Sequence, residues 1–293
     1  MESSYQPKID YYVERRFGEK VNATFEFFRE NWRRLFKIIL IIDGPLVLLF
    51  GVSYVFFLSN QFLSTSGVAP SEELATQSED YSVFVLFISG FFMVFTFFAI
   101  LYRYMKLYES FSPEEIKVKM ILKTILPDTG IFFLLYLIVA IMLVAGFFIL
   151  LIPGIYLSVV LTLAFPILIF EDYNIFRAIK RAFHLIHDHW WSTFGLLLIM
   201  YIIQTSVGSL FILPMYSYSI YEMVSARQVG EVPFTQSTFK SILIMSLMML
   251  FYLGAIFTYC LGVIASTFQY FNLREKREAV GLLARINKAE SAQ

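Results

Sequence analysis

Residues 131–170, IFFLLYLIVAIMLVAGFFILLIPGIYLSVVLTLAFPILIF, contain no charged side chain and carry a Pro-Gly pair only at Pro153-Gly154. As one straight helix the stretch would reach about 60 Å, roughly twice the hydrocarbon thickness of a bilayer. It therefore has to double back. Pro153 removes a backbone donor and Gly154 tolerates a bend, so the sequence predicts two antiparallel membrane helices, Ile131–Leu151 and Ile155–Phe170, joined by a turn at Ile152-Pro153-Gly154.

Four more apolar runs lie on either side of this pair. The first span is expected over Leu35–Leu58, with Asp43-Gly44-Pro45 near mid-depth, and the second over Val83–Leu101. The fifth and sixth are expected over Thr193–Leu213 and Ser241–Ser266. Polar loops are predicted at Ser59–Asp80 and Pro214–Gln236. Ahead of the first span, Val21, Phe25, Phe28, Trp32 and Phe36 recur at helical spacing among Glu26, Arg29, Glu30, Arg33 and Arg34, the pattern of an amphipathic helix. Ser112-Pro113-Glu114-Glu115 has the layout of a capping box opening a short basic helix that Pro127-Asp128 stops. Glu171 to Asn174 reads as the start of a helix through His189, and the tail Arg274–Gln293 keeps helical spacing at Val280, Leu283 and Ile286. The expected fold is all-α and polytopic: six transmembrane helices in three hairpins, with amphipathic helices at their polar ends. The chain divides into an amphipathic segment, 1–34, a transmembrane domain, 35–266, and a helical tail, 267–293.

Composition agrees. Hydrophobic residues make up 58% of the chain and aromatic residues 18%, against about 45–50% apolar in ordinary soluble domains. With 23 basic and 23 acidic residues, no bulk charge argues for nucleic acid, and the bilayer itself is the first partner. The first thirty residues are too polar for a signal-peptide core, so the chain is expected to enter the membrane through its own first span. The single cysteine, Cys260, lies in an apolar run and reads as a packing residue.

Charge placement fixes an expected orientation. Of the 23 Lys and Arg residues, 21 fall in the N-terminal segment or after spans two, four and six; only Arg227 and Lys240 fall in the other loops. Positive charge collects on the cytoplasmic side, so both termini are expected there. Trp32, Trp190 and Trp191, with Arg177, Lys180 and Arg181, are then interfacial anchors on that side.

Asp43 is the one carboxylate that hydropathy places deep inside a span, a costly position that makes it a candidate site. Pro45 leaves the carbonyl of Ile41 without its helical donor. Asp43, Gly44 and Pro45 are either an ion or proton site completed by Gln204, Thr205 and Ser206 of span five, or a structural element in which Asp43 bonds freed backbone or a polar neighbour. His184, His187 and Asp188 would share a helix face, with His189 pointing elsewhere; their position beside Trp190-Trp191 fits an interfacial helix, and no metal is expected there. No nucleophile elbow, phosphate loop or zincin motif occurs, so no enzyme activity and no cofactor are expected.

Ile152-Pro153-Gly154-Ile155-Tyr156, Ala164-Phe165-Pro166 with Glu171, Arg177-Ala178-Ile179-Lys180-Arg181-Ala182-Phe183, Trp190 to Gly195, and Tyr270 to Glu278 with Gly281-Leu282-Leu283 together carry a resemblance. They resemble the membrane domain associated with glycerophosphoryl diester phosphodiesterases and related bacterial six-span proteins of unknown function. The resemblance runs from Ile131 to Ile286, about half the chain. It implies a bacterial inner membrane protein. In fused members catalysis belongs to a separate soluble barrel after the membrane part; only a short tail follows the last span here, so phosphodiesterase activity is not expected. The leading expectation is a non-enzymatic membrane-organising or partner-binding scaffold, with another membrane protein as its partner. The alternative is a transporter or lipid-handling protein using the polar site at the span-one kink.

Overall fold

The computed structural model describes residues 9–66, 72–229 and 238–290. Among them every regular element is helical and no strand occurs. In chain order these are α1 (Phe17–Ser66), α2 (Glu72–Ser110), a single 3-10 turn (Pro113–Glu115), α3 (Val118–Leu122), α4 (Ile125–Ile149), α5 (Leu151–Thr162), α6 (Ala164–Phe170), α7 (Ile175–Ile186), α8 (Trp190–Val229), α9 (Thr238–Glu278) and α10 (Val280–Glu290). Among the described residues six helical stretches are long and apolar enough to cross a membrane: Phe17–Phe57, Val83–Ser110, Ile125–Phe148, Leu151–Phe170, Trp190–Gln228 and Ile242–Glu278. The chain is a multi-pass membrane protein.

Two compact units divide the fold. The first comprises the described residues of Met1–Phe36, Phe98–Ile202 and Cys260–Gln293; the second comprises those of Lys37–Phe97 and Ile203–Tyr259.

Helices α1, α2, α8 and α9 hold 50, 39, 40 and 41 residues. At 1.5 Å per residue they run about 58–75 Å, far beyond a hydrocarbon layer of about 30 Å. Helix α1 carries the amphipathic stretch and the first span as one continuous element. The expected loops are corrected. Helix continues to Ser66, resumes at Glu72, and carries Pro214 inside α8 as far as Val229; residues 67–71 and 230–237 of those loops lie outside the described residues. Serine polarity did not mean loop, because Ser217 Oγ donates to the Leu213 carbonyl at 2.8 Å and Ser219 Oγ to that of Met215 at 2.9 Å. A serine that bonds four residues back keeps its hydroxyl satisfied within the helix.

In the first unit the chain reverses at Leu150, a single extended residue between α4 and α5. Pro153 and Gly154 do not make the turn, as the sequence suggested. They sit in the first turn of α5, where a missing N–H costs nothing because that donor has no intrahelical acceptor. The glycines serve close approach instead: a Cβ on Gly146 would meet Leu157 Cδ1 at 2.8 Å and the Gly154 Cα at 3.3 Å, and one on Gly154 would strike the ring of Phe147. The reversal exposes only apolar side chains, Phe148 at 91% and Ile152 at 79% among them. The returning limb breaks at Leu163, splitting α5 from α6. Pro166 accounts for this, since its ring excludes the carbonyl of Thr162 and it offers no donor.

Side-chain caps set the smaller elements. Glu115 accepts from the Ser112 N–H at 2.9 Å, but it closes one 3-10 turn, and the basic helix begins only at Val118. Pro127 lies in the first turn of α4 and does not end its predecessor. Asn174 Oδ1 accepts from the Arg177 N–H at 2.9 Å and starts α7 where the sequence placed it.

The N-terminal half of α1 buries a stripe shifted from the predicted one. Lys20, Ala23, Thr24, Phe27, Asn31 and Leu35 face inward, whereas Phe25 is 40% and Trp32 44% exposed. The polar members are satisfied: Thr24 donates to the Lys20 carbonyl at 2.9 Å, Asn31 Nδ2 to that of Phe27 at 2.9 Å, and the Tyr104 hydroxyl to Asn31 Oδ1 at 2.7 Å. Ahead of α1, buried Tyr11 stacks on Phe271 with ring centroids 4.6 Å apart and donates to the Met105 carbonyl at 3.1 Å.

Candidate functional site

The sequence-predicted site lies in the second unit. Asp43, on α1, is fully buried. Tyr252 of α9 donates to its Oδ2 at 3.1 Å, and the Thr96 hydroxyl of α2 bonds its Oδ1 while also approaching the Phe92 carbonyl at 2.5 Å. Both carboxylate oxygens are engaged, and one side chain links three helices. The expected partners on α8 are not the ones found: Thr205 and Ser206 are exposed, and Gln204 is half-exposed. Gly44 has open space where a Cβ would sit, so it answers no packing need. Elsewhere in this unit α8 and α9 come together at Gly254, where a Cβ would fall on the Cβ and ring of Phe211. Near their ends Lys240 Nζ donates to Glu222 Oε1 at 2.5 Å.

Thr96 carried a readable signal, being the one hydroxyl in the apolar run from Phe91 to Leu101. Tyr252 did not, because a chain with 18 tyrosines gives no reason to single it out.

The first unit holds a polar network that sequence reasoning missed. Glu171, largely buried, accepts from Arg181 Nε at 3.1 Å and from the Tyr270 hydroxyl at 3.0 Å. Arg181 also pairs with Glu278, which Arg274 Nε approaches at 3.4 Å, and Arg274 Nη1 donates to the Tyr270 oxygen at 3.2 Å. Arg103 clasps Asp128 bidentately, with Nε to Oδ2 at 2.7 Å, and Lys106 Nζ reaches Asp172 at 2.6 Å and the Ile169 carbonyl at 2.7 Å. Arg181 is half-buried and tied to two carboxylates, whereas Arg177 and Lys180 are exposed. Burial works against the Arg181 charge, but Glu278 and Glu171 offset it and hold the guanidinium above its ordinary value.

A second polar chain runs through Lys20, whose Nζ donates to Gln269 Oε1 at 2.7 Å and Ser192 Oγ at 3.2 Å. Gln269 Nε2 in turn donates to Thr193 Oγ1 at 2.7 Å.

The histidines do not share a helix face. Helix α7 ends at Ile186, and Asp188 takes a φ of 65°, so the spacing argument fails beyond that point. His187 Nδ1 and Asp188 Oδ2 are 2.7 Å apart on the surface, and this contact holds the Asp188 carboxyl below its ordinary value. Burial pushes the His189 imidazole below its ordinary value, and Lys276 and Arg277 push it the same way. Among the described residues no group of three or more His, Cys, Asp and Glu side chains is placed to hold a metal ion. Trp190 stacks on Phe194 with centroids 5.2 Å apart and donates to the Tyr156 carbonyl at 3.3 Å, while Trp191 is exposed. Cys260 is free and buried.

The chain matches no protein-family model, no curated protein and no solved structure.

Proposed function

We propose that the protein is a non-enzymatic scaffold of a bacterial inner membrane, organising the nearby leaflet or a membrane partner through a cytoplasmic end built from its first unit. The observation that carries this is the division of α1. Its inner stripe is closed by hydrogen bonds, while Phe25 and Trp32 remain exposed beside Arg29 and Arg33. Arg29, Glu30, Trp32 and Arg33 line an open depression there, and the Arg33 guanidinium lies 5.6 Å from the Trp32 ring centre. Exposed aromatic and basic side chains on one helix face suit a surface at headgroup depth. Three hairpins with both termini in the cytoplasm are part of the proposal, supported by the placement of 21 of 23 basic residues. So is kinship with the membrane domain associated with glycerophosphoryl diester phosphodiesterases, supported by the motifs between Ile131 and Ile286. The competing transporter reading needs Asp43 available to a cargo, and both of its oxygens are already engaged.

Mass spectrometry of the protein extracted into native-lipid nanodiscs tests the proposal. A stoichiometric protein companion or annular lipid set that persists in the Asp43→Asn variant is the expected result. A small molecule that travels with the wild type and is lost with Asp43→Asn would replace the scaffold with a transporter.

A further inference from the structure

Lys20 is 2% exposed, and its ammonium carries three hydrogens. Gln269 and Ser192 accept two of them, and the ammonium also lies 5.9 Å from the centre of the Phe17 ring. Among the described residues no carboxylate pairs with it, and the charged neighbour that acts on it is another cation, Lys276. Gln269 is held in place by Thr193, so its amide oxygen stays turned toward Lys20. Ser192 belongs to the first turn of α8, a helix of 40 residues whose leading N–H groups have no intrahelical acceptors. That end of a helix carries partial positive charge.

The surroundings add charge of the same sign. His189 feels Lys276, Arg277 and Lys20 together, with Asp188 as the opposing group. The nearby carboxylates are already used: Glu14 lies 3.4 Å from Lys276, and Asp188 lies 2.7 Å from His187 and 3.7 Å from Arg277. Arg277 donates through Nη2 to the His187 carbonyl, yet its buried Nε has no partner. A buried ammonium that no carboxylate pairs with among the described residues, set beside the positive end of a helix, is an arrangement that an anion completes.

The geometry points to a binding site for a phosphate group at Lys20, Ser192 and the first turn of α8, with Lys276 and Arg277 as its outer cations. Access is at Ser192, which is exposed, and beside it Trp191 is 77% exposed. Tryptophan with an exposed ring favours headgroup depth, so the expected source is the phosphodiester of a phospholipid headgroup; a soluble phosphate offers the same chemistry. This goes beyond the scaffold proposal, since it needs only the contacts around Lys20.

The full chain in detergent micelles, titrated separately with phosphatidylglycerol, phosphate-free diacylglycerol and inorganic phosphate, tests the site by thermal midpoint and by retention in native mass spectrometry. Phosphatidylglycerol should raise the midpoint and stay bound, diacylglycerol should do neither, and Lys20→Met should weaken retention at least tenfold. Lys276→Gln, a change at a more exposed cation, should weaken it several-fold. A shift with inorganic phosphate and none with the lipid, lost in Lys20→Met, also supports the site and makes its ligand soluble. Equal effects of phosphatidylglycerol and diacylglycerol, no shift with any ligand, or wild-type retention in a folded Lys20→Met overturn it. If Lys20→Met does not fold, unchanged binding by Lys276→Gln overturns it alone.

Discussion

Tyr252 donates its phenolic hydrogen to Oδ2 of Asp43 at 3.1 Å, across 209 residues of sequence. With Thr96 on the other oxygen, the carboxyl group fastens α1 to α2 and α9 within the second unit. Hydrogen bonds between membrane helices contribute on average about 0.6 kcal/mol and at most about 1.7 kcal/mol each. Asp43→Asn keeps an acceptor for one hydroxyl and should leave stability in micelles within about 0.5 kcal/mol, whereas Asp43→Ala strands both hydroxyls and should cost about 1–2 kcal/mol. Unfolding in a graded denaturing detergent measures the pair. Equal losses for Asn and Ala would show that the charge, and not the hydrogen bonds, matters.

Gly254 and Gly208 differ in what a methyl group would meet. At Gly254 it would collide with Phe211 close to the backbone, where rotating the ring gives no relief; at Gly208 the nearest atom is Thr258 Cγ2 at 3.8 Å. Gly254→Ala should therefore destabilise by about 1–3 kcal/mol. Gly208→Ala should be neutral or slightly stabilising, because alanine is the better helix former by about 1 kcal/mol. Thermal midpoints of the two variants check the contrast.

Arg181 neutralises Glu171 and Glu278 at once. Arg181→Met leaves the largely buried Glu171 without its guanidinium, while Glu278 keeps Arg274, and should cost about 2–4 kcal/mol. Glu171→Gln should cost less, since Arg181 keeps Glu278. In the double variant the losses should fall well short of additive, by about 1 kcal/mol or more, which a double-mutant cycle reads directly.

His189 titrates below its ordinary value of 6.5, pushed down by burial and by Lys276, Arg277 and Lys20 against the opposing Asp188. The unfolded chain takes up a proton near that ordinary value while the folded chain resists, so the folded state binds fewer protons in this window. The His189 contribution is complete above about pH 6.5 and is lost as pH falls from there through the folded value. A midpoint recorded from pH 7.5 to pH 5 should fall across this interval, and His189→Gln should flatten the slope. An unchanged slope in that variant would assign the acid sensitivity to another group.

Much of the architecture was legible because apolar run length is a one-dimensional property. The forty uncharged positions from Ile131 to Phe170 required a reversal, and only its site was misplaced. The Pro-Gly pair looked like the bend, whereas proline is equally suited to the first turn of the following helix, and Leu150 alone turns the chain. Loops were over-read at Ser59–Asp80 and Pro214–Gln236 because polarity signals solvent as readily as it signals a break; in the second of these, Ser217 and Ser219 bond within their own helix. Asp43 stood out as a buried carboxylate, but its partners are 53 and 209 residues away and no local spacing announces them. The inward stripe of α1 was hidden for a related reason. Lys20 and Asn31 are buried polar residues whose partners lie far along the chain, Gln269 and Ser192 for the first and Tyr104 for the second.

The measurement that tests the account most directly is the sidedness of the C-terminal end. Fusions after Gln293 to a reporter that works only in the cytoplasm and to one that works only in the periplasm, expressed in a bacterial host, give a binary result. Activity of the cytoplasmic reporter alone is predicted, placing the first unit's Arg181 network and the outer face of α1 where a cytoplasmic scaffold needs them. Activity of the periplasmic reporter alone would contradict the account, because it would put that end of the molecule on the wrong side of the membrane.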